Sequence, residues 1–198
     1  MIHSVRNESG TGRLQVIAGP MFSGKSEELL RRVRRAKLAG LDVEVVNHSF
    51  DTRHGSGVVS SHAGLSITST SVADLAGLLT HLGDRTPDIL AIDEAQFFGA
   101  DLIPAVEGLL ARGITVIVAG LCVTYYARPF EPLPSLMALA EEAVKLTAVC
   151  HVCGADAAFH QRIHDSGVGD SQHPVEEHVG GYETYEARCR RHLTLPTA

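Results

Sequence analysis

Gly19-Pro20-Met21-Phe22-Ser23-Gly24-Lys25-Ser26 brackets a short loop with glycines and ends it on a lysine and a hydroxyl. Backbone amides in such a loop converge on a phosphate, and a helix that follows it points its positive end at the same charge. The stretch fits G-x-x-x-x-G-K-[ST], with an apolar run before it and a helical spacing after it. Lys25 then reaches the β- and γ-phosphates of a nucleoside triphosphate, and Ser26 holds Mg²⁺. A second group of chemical residues follows the apolar run 89–92. Asp93 stands where an acid can hold Mg²⁺ directly or through water. Glu94 beside it is redundant for the metal and suits a general base that takes a proton from water or a substrate hydroxyl, the plainer alternative being an acid favoured by a helix N-terminus. Asp93, Glu94, Ala95 and Gln96 are counted with the nucleotide and magnesium site. A third group is Cys150 and Cys153 with Cys189 and His192. Three thiolates and an imidazole fill a tetrahedral zinc site and leave no open position, so the ion fastens the chain and takes no part in catalysis. His151, between two ligands, is expected to be exposed. Residues 154–188 between the knuckles have few apolar anchors and would cost too much entropy to order without the metal. Clamped at its base, that loop is suited to lie over a ligand.

These groups need a frame. The runs 14–18, 43–46, 89–92 and 114–119 are apolar and β-branched, as buried parallel strands are, and 27–39, 102–112 and 136–145 have helical spacing. Strands alternating with helices predict an α/β fold, a parallel sheet of the P-loop NTPase kind with helices on both faces. Gly40 and Gly113 fall where helix C-caps belong. Residues 47–70, rich in Ser, Gly, His and Thr, read as a long loop or hairpin. At Ala148 the strand and helix rhythm gives way to glycines, histidines and charges. The expected division is a loose arm over 1–12, a nucleotide-binding α/β domain over 13–147, a small zinc-binding domain over 148–192 and a tail over 193–198.

At 198 residues, with 44% hydrophobic and 20% charged residues, the composition is that of an ordinary soluble protein. No apolar run approaches the ~20 residues of a membrane helix. No leader sequence is evident at the start, so the expected location is the cytoplasm. A net charge of −6 argues against a nucleic-acid partner. The basic run Arg31, Arg32, Arg34, Arg35 and Lys37 is expected to be a solvated helix face.

The combination of GPMFSGKS (19–26), DTR (51–53), DEAQFF (93–98), a G-L-x-x-T-aromatic-x-x-x-P-F segment (120–130), C-x-x-C, VGGYETY (179–185) and CRRH resembles the type II, zinc-containing thymidine kinases over about residues 13–192. The resemblance implies transfer of the ATP γ-phosphoryl group to the 5′-hydroxyl of thymidine. Lys25, Ser26 and Asp93 would serve ATP and Mg²⁺. Glu94 would be the base and Arg53 a second catalytic residue near the phosphates. Met21, Phe97, Leu121, Tyr125, Phe130, Val179, Gly181 and Tyr185 would surround the nucleoside, with Met21, Leu121 and Tyr185 around the 5-methyl and Tyr125 where Phe is usual. The loop between the knuckles would be a lasso over the base, held by structural Zn²⁺. Homotetramers and feedback inhibition by dTTP are common in the family. Three positions depart from its pattern: Cys122 replaces an Asp, Ala63 follows Ser-His where Asp is usual, and His160 stands where Thr or Ser is frequent. They raise two alternatives, a kinase of other pyrimidine preference, such as deoxyuridine, and a nucleotide-binding protein that has lost catalysis.

Overall fold

Successive residues of a strand point to opposite faces, so a run that is apolar throughout must be covered on both sides. The computed structural model describes residues 10–50, 58–60, 66–163 and 184–194. Its centre is a sheet whose strands are β1 (Leu14–Gly19), β2 (Val43–His48), β5 (Thr70–Val72), β6 (Ile89–Asp93), β7 (Thr115–Leu121) and β8 (Glu142–Lys145), arranged β5-β2-β6-β7-β1-β8. All of these pairings are parallel. The helices are α1 (Lys25–Leu38), α2 (Leu75–Leu82), α3 (Leu102–Ala111) and α4 (Leu133–Leu139).

The two faces divide by strand parity. Val16, Leu90, Ile92, Val116 and Val118 meet α2, α3 and α4 through Leu78, Leu82, Leu102, Val106, Leu109, Leu133 and Leu136. Ile17, Val45, Ala91, Ile117 and Ala119 meet α1 through Leu29, Leu30 and Val33. The result is the expected three-layered α/β fold. Gly40 and Gly113 follow α1 and α3 with positive φ, as the capping pattern predicted.

The segment 136–145 is not one helix. Helix α4 begins earlier, at Leu133, and ends at Leu139; Ala140 is extended, and Glu142–Lys145 becomes the edge strand β8 beside β1. Strand pairing supplies the reason. The edge of β1 needs partners for its backbone, and the Glu141 carboxylate adds one by accepting the Leu14 N–H at 2.7 Å. Arg32 of α1 reaches the same edge, donating to Glu142 at 2.8 Å and to Gln15 at 2.8 Å. One member of the expected solvated basic face is thus a tie, its side chain only 10% exposed.

Within 47–70, β2 runs on to His48, and β3 (Val58–Ser60) and β4 (Ser66–Thr68) form an antiparallel hairpin. Beyond Lys145, short strands β9 (Ala148–Val149) and β10 (Asp156–Ala157) pair with each other, as do β11 (Phe159–Arg162) and β12 (Tyr185–Arg188). Among the described residues no helix is long and apolar enough to cross a membrane.

Candidate active site

In an open parallel sheet, ligands sit beyond the carboxyl ends of the strands, where the strand order changes direction. From β1 the chain crosses by way of α1 toward β2 on one side, and from β7 by way of α4 to β8 on the other. The chemistry-bearing residues leave the sheet at these ends: Gly19 ends β1, Asp93 ends β6, Leu121 ends β7 and His48 ends β2.

The loop after β1 folds upon itself. Ser23 Oγ and Lys25 Nζ both donate to the Pro20 carbonyl, at 2.9 and 2.7 Å, which keeps the ammonium inside the curve of the loop. Phe22 and Gly24 take left-handed φ values of 65° and 81°. Gly24 does so without strain and turns the chain into α1, whose first residues are Lys25 and Ser26. Phe22, like Glu94 at φ 51°, adopts a conformation that costs a non-glycine residue about 1–3 kcal/mol and gathers at functional sites. The Glu94 N–H donates to Asp93 Oδ1 at 3.0 Å and the Glu94 carboxylate accepts from Gln96 Nε2 at 2.6 Å. Asp93, Glu94 and Gln96 are all buried. A carboxylate pair and a lysine-bearing loop at the same end of one parallel sheet have the elements of a phosphoryl-transfer site.

Of the residues expected around a nucleoside, Met21, Leu121, Tyr125, Phe130 and Tyr185 form one buried cluster, with Phe22 against it. A tight turn carries two of them: Val123 bridges Pro129, and Thr124 and Phe130 close it with backbone bonds to Arg128 and Cys122. Phe97 packs against His48 and Phe50, with ring centroids 5.5 and 5.8 Å away, and Phe98 meets the same His48 ring edge-on. Arg53, Val179, Gly181 and Ala63 lie outside the described residues.

His48 was missed from the sequence. Its Nδ1 accepts the Phe50 N–H at 3.2 Å, and burial lowers the imidazole pKa, so the neutral ring is favoured. The signal available was slight, a polar pair, Asn47 and His48, closing a β-branched strand. Cys122 is buried beside Gly19, with Lys145 and Lys25 near, and burial pushes its thiol pKa up. At neutral pH it is a thiol, and it does not supply the anion of an Asp. His160 is fully buried on β11. The Met21 N–H faces its Nδ1 at 3.5 Å, and its ring meets Tyr185 edge to face at 5.7 Å.

The ligating atoms of Cys150, Cys153, Cys189 and His192 lie within 4.8 Å of one another. Zinc–sulfur bonds of about 2.3 Å set tetrahedral S···S edges of about 3.8 Å. Cys153 Sγ is 3.8 Å from Cys189 Sγ, and His192 Nδ1 is 3.8 and 3.4 Å from the sulfurs of Cys150 and Cys189. The donor set fits the ion. Backbone amides, that of Cys189 foremost, and the His192 imidazole bring the Cys150 thiol down to about 5, which favours the thiolate a metal needs. Beneath the cluster Ala148, Ala157 and Ala187 make a small core that Phe22 also touches, so the loop after β1 meets the module that carries the four Cys/His side chains.

A protein-family model described as thymidine kinase matches residues 12–193. A thymidine kinase of Deinococcus deserti is 44% identical over 91% of this chain and 94% of its own length, and one of Halobacterium salinarum is 42% identical over 96% of both. The chain belongs to the thymidine kinase family. A further family member, the thymidine kinase of Bdellovibrio bacteriovorus, is 44% identical over 92% of this chain and 85% of its own. The thymidine kinase match spans the phosphate loop, the Asp93-Glu94 pair and the Cys/His cluster, so the frame and all three chemical groups fall inside it.

Proposed function

We propose that the chain is an ATP-dependent thymidine kinase that converts thymidine to its 5′-monophosphate. The observation that carries this reading is that Met21 belongs both to the phosphate loop and to the buried cluster of Leu121, Tyr125, Phe130 and Tyr185. In this reading a nucleoside lodged against that cluster would turn its sugar toward the loop and toward Glu94, which Gln96 links to Leu121 of the cluster.

In this reading the 5′-hydroxyl attacks the γ-phosphorus in line and Glu94 accepts its proton. Lys25, with Arg53, balances charge on the transferring group. Gly19, Pro20, Met21, Phe22, Ser23 and Gly24 curl the backbone around the phosphates. Ser26 and Asp93 would hold Mg²⁺, which when bound neutralises phosphate charge. Phe97, Val179 and Gly181 would complete the nucleoside contacts. Residues 13–147 act as the ATP domain and 148–192 as a zinc-held lasso, flanked by the 1–12 arm and 193–198 tail. Family resemblance adds a homotetramer, feedback by dTTP and a cytoplasmic location to the proposal.

The test is steady-state phosphorylation of thymidine, deoxyuridine and deoxycytidine by the zinc-loaded protein with MgATP. Thymidine should give the highest kcat/KM. A second reading, altered pyrimidine preference, is favoured by His160, whose buried ring lies against Met21 and Tyr185. It predicts that deoxyuridine matches or exceeds thymidine, and that result would displace the first. No turnover with any of the three would defeat both.

A further inference from the structure

A glutamate that must take a proton along one line works only if its flexible side chain is held. The backbone amide of Leu121 can only donate, so the side-chain atom of Gln96 that meets it at 2.9 Å is the carbonyl oxygen Oε1. That orients the rest of the amide: the NH₂ group faces Glu94 Oε2 at 2.6 Å, and an ionised carboxylate can only accept. Gln96, 1% exposed, therefore has one end committed to the last residue of β7 and the other to the carboxylate. Its seat depends on Gly120. A Cβ there would fall 2.5 Å from Gln96 Oε1 and 3.2 Å from the Ala95 nitrogen, so any side chain would drive the amide out.

We propose that Gln96 is a positioning residue that clamps the Glu94 carboxylate to the end of β7, with Gly120 as its socket, and is not a ligand of the nucleotide. The inference rests on the assignment of Glu94 as the base. It revises the grouping of Gln96 with the ATP site and gives the shared presence of D-E-A-Q and G-L in one chain a geometric reason: the amide of one needs the missing side chain of the other. A charge-assisted bond from a neutral amide orients the carboxylate without placing a competing positive charge beside it.

The test compares the zinc-loaded wild type with Gln96→Met, which keeps length and apolar bulk and removes both hydrogen bonds. Thymidine turnover should fall about 100-fold, the scale of a catalytic group misplaced by an ångström, while KM for ATP and for thymidine stays within about twofold. Gly120→Ala leaves both hydrogen-bonding side chains in the sequence and crowds the amide most, at 2.5 Å, with lesser crowding of Leu133 Cδ2 at 3.0 Å and the Ala95 nitrogen at 3.2 Å; it should lower kcat with the same unchanged KM values, and it decides the matter if Gln96→Met does not fold. A rise in the KM for ATP at unaltered kcat would make Gln96 a nucleotide ligand and overturn the clamp. Wild-type kcat in either folded variant would overturn it too. Wild-type turnover in Glu94→Gln would defeat the base assignment itself, a result separable from failure of the clamp.

Discussion

Glu94 and His48 stand at the ends of neighbouring strands, and burial acts on them through different chemistry. A base of the kind proposed for Glu94 contributes about 10²- to 10⁴-fold. Glu94→Gln should lose that much kcat while calorimetric affinity for a non-hydrolysable ATP analogue holds within about twofold, since the phosphate loop is untouched. For His48 the quantity to measure is stability. Its folded pKa is lowered, chiefly by burial, with the backbone of Ala73 and the charge of Asp74 opposing. Below about pH 6.5 the unfolded ring takes up a proton that the folded ring still refuses, so stability falls as pH falls into that window and is unaffected above it. In His48→Asn that component is gone, and its melting temperature should decline less between pH 7 and 5.5 than that of the wild type. Parallel declines would remove His48 from the account. At this scale the sequence was informative where residue type and spacing alone carry the signal, as with Cys150, Cys153, Cys189 and His192, whose ligating atoms converge within 4.8 Å. It was silent on His48 and on the clamp role of Gln96, because both depend on which atoms lie across from them in space.

Helix α1 positions the phosphate loop, and it is the described helix packed on its face of the sheet. Leu29, Leu30 and Val33 are fully buried there. Leu30→Ala should cost about 2–5 kcal/mol in denaturant unfolding, the range for an emptied core leucine. It should also raise the KM for ATP, because Lys25 and Ser26 occupy the first turn of the helix that shifts. A stability loss without any effect on ATP would mean the loop holds its shape without α1. The central strands were legible because each is apolar on both faces. Strand β8 was not: Glu142–Lys145 alternates half-buried and exposed residues, and four residues following a helical run carry too little pattern to separate the two forms. Its state is set by the free edge of β1.

At the scale of the whole molecule the Cys/His cluster and the buried cluster around Tyr125 are joined by one short strand. Cys189 directly follows β12, and β12 begins with Tyr185, fully buried against Tyr125 and Met21. Binding energy of a structural zinc is folding energy for the segment it closes. Removing zinc with a chelator, or substituting Cys189→Ser, should therefore raise the KM for thymidine and lower the melting temperature of the metal-bearing module. Affinity for the ATP analogue should fall less than affinity for thymidine, because the loop after β1 is built on β1 and α1 and meets this module only at its Met21-Phe22 turn. Zinc content by atomic absorption, followed against both constants, checks this. An unchanged thymidine KM in metal-free protein would detach the cluster from the substrate site.

By itself the sequence determined the local chemistry: a glycine-bracketed loop with its lysine, an acid pair closing an apolar strand, four zinc-type ligands and a doubly covered parallel sheet. Each is written in residue type and short-range spacing, which the covalent chain imposes directly. Only the tertiary structure decided that Met21 is shared by the loop and the buried Tyr125 cluster, that Phe97 joins His48 and Phe50, that residues 136–145 split into helix and strand, and that Gln96 reaches across to Leu121 over Gly120. Those are relations between segments distant in sequence, created by close packing and by the requirement that every buried donor and acceptor find a partner.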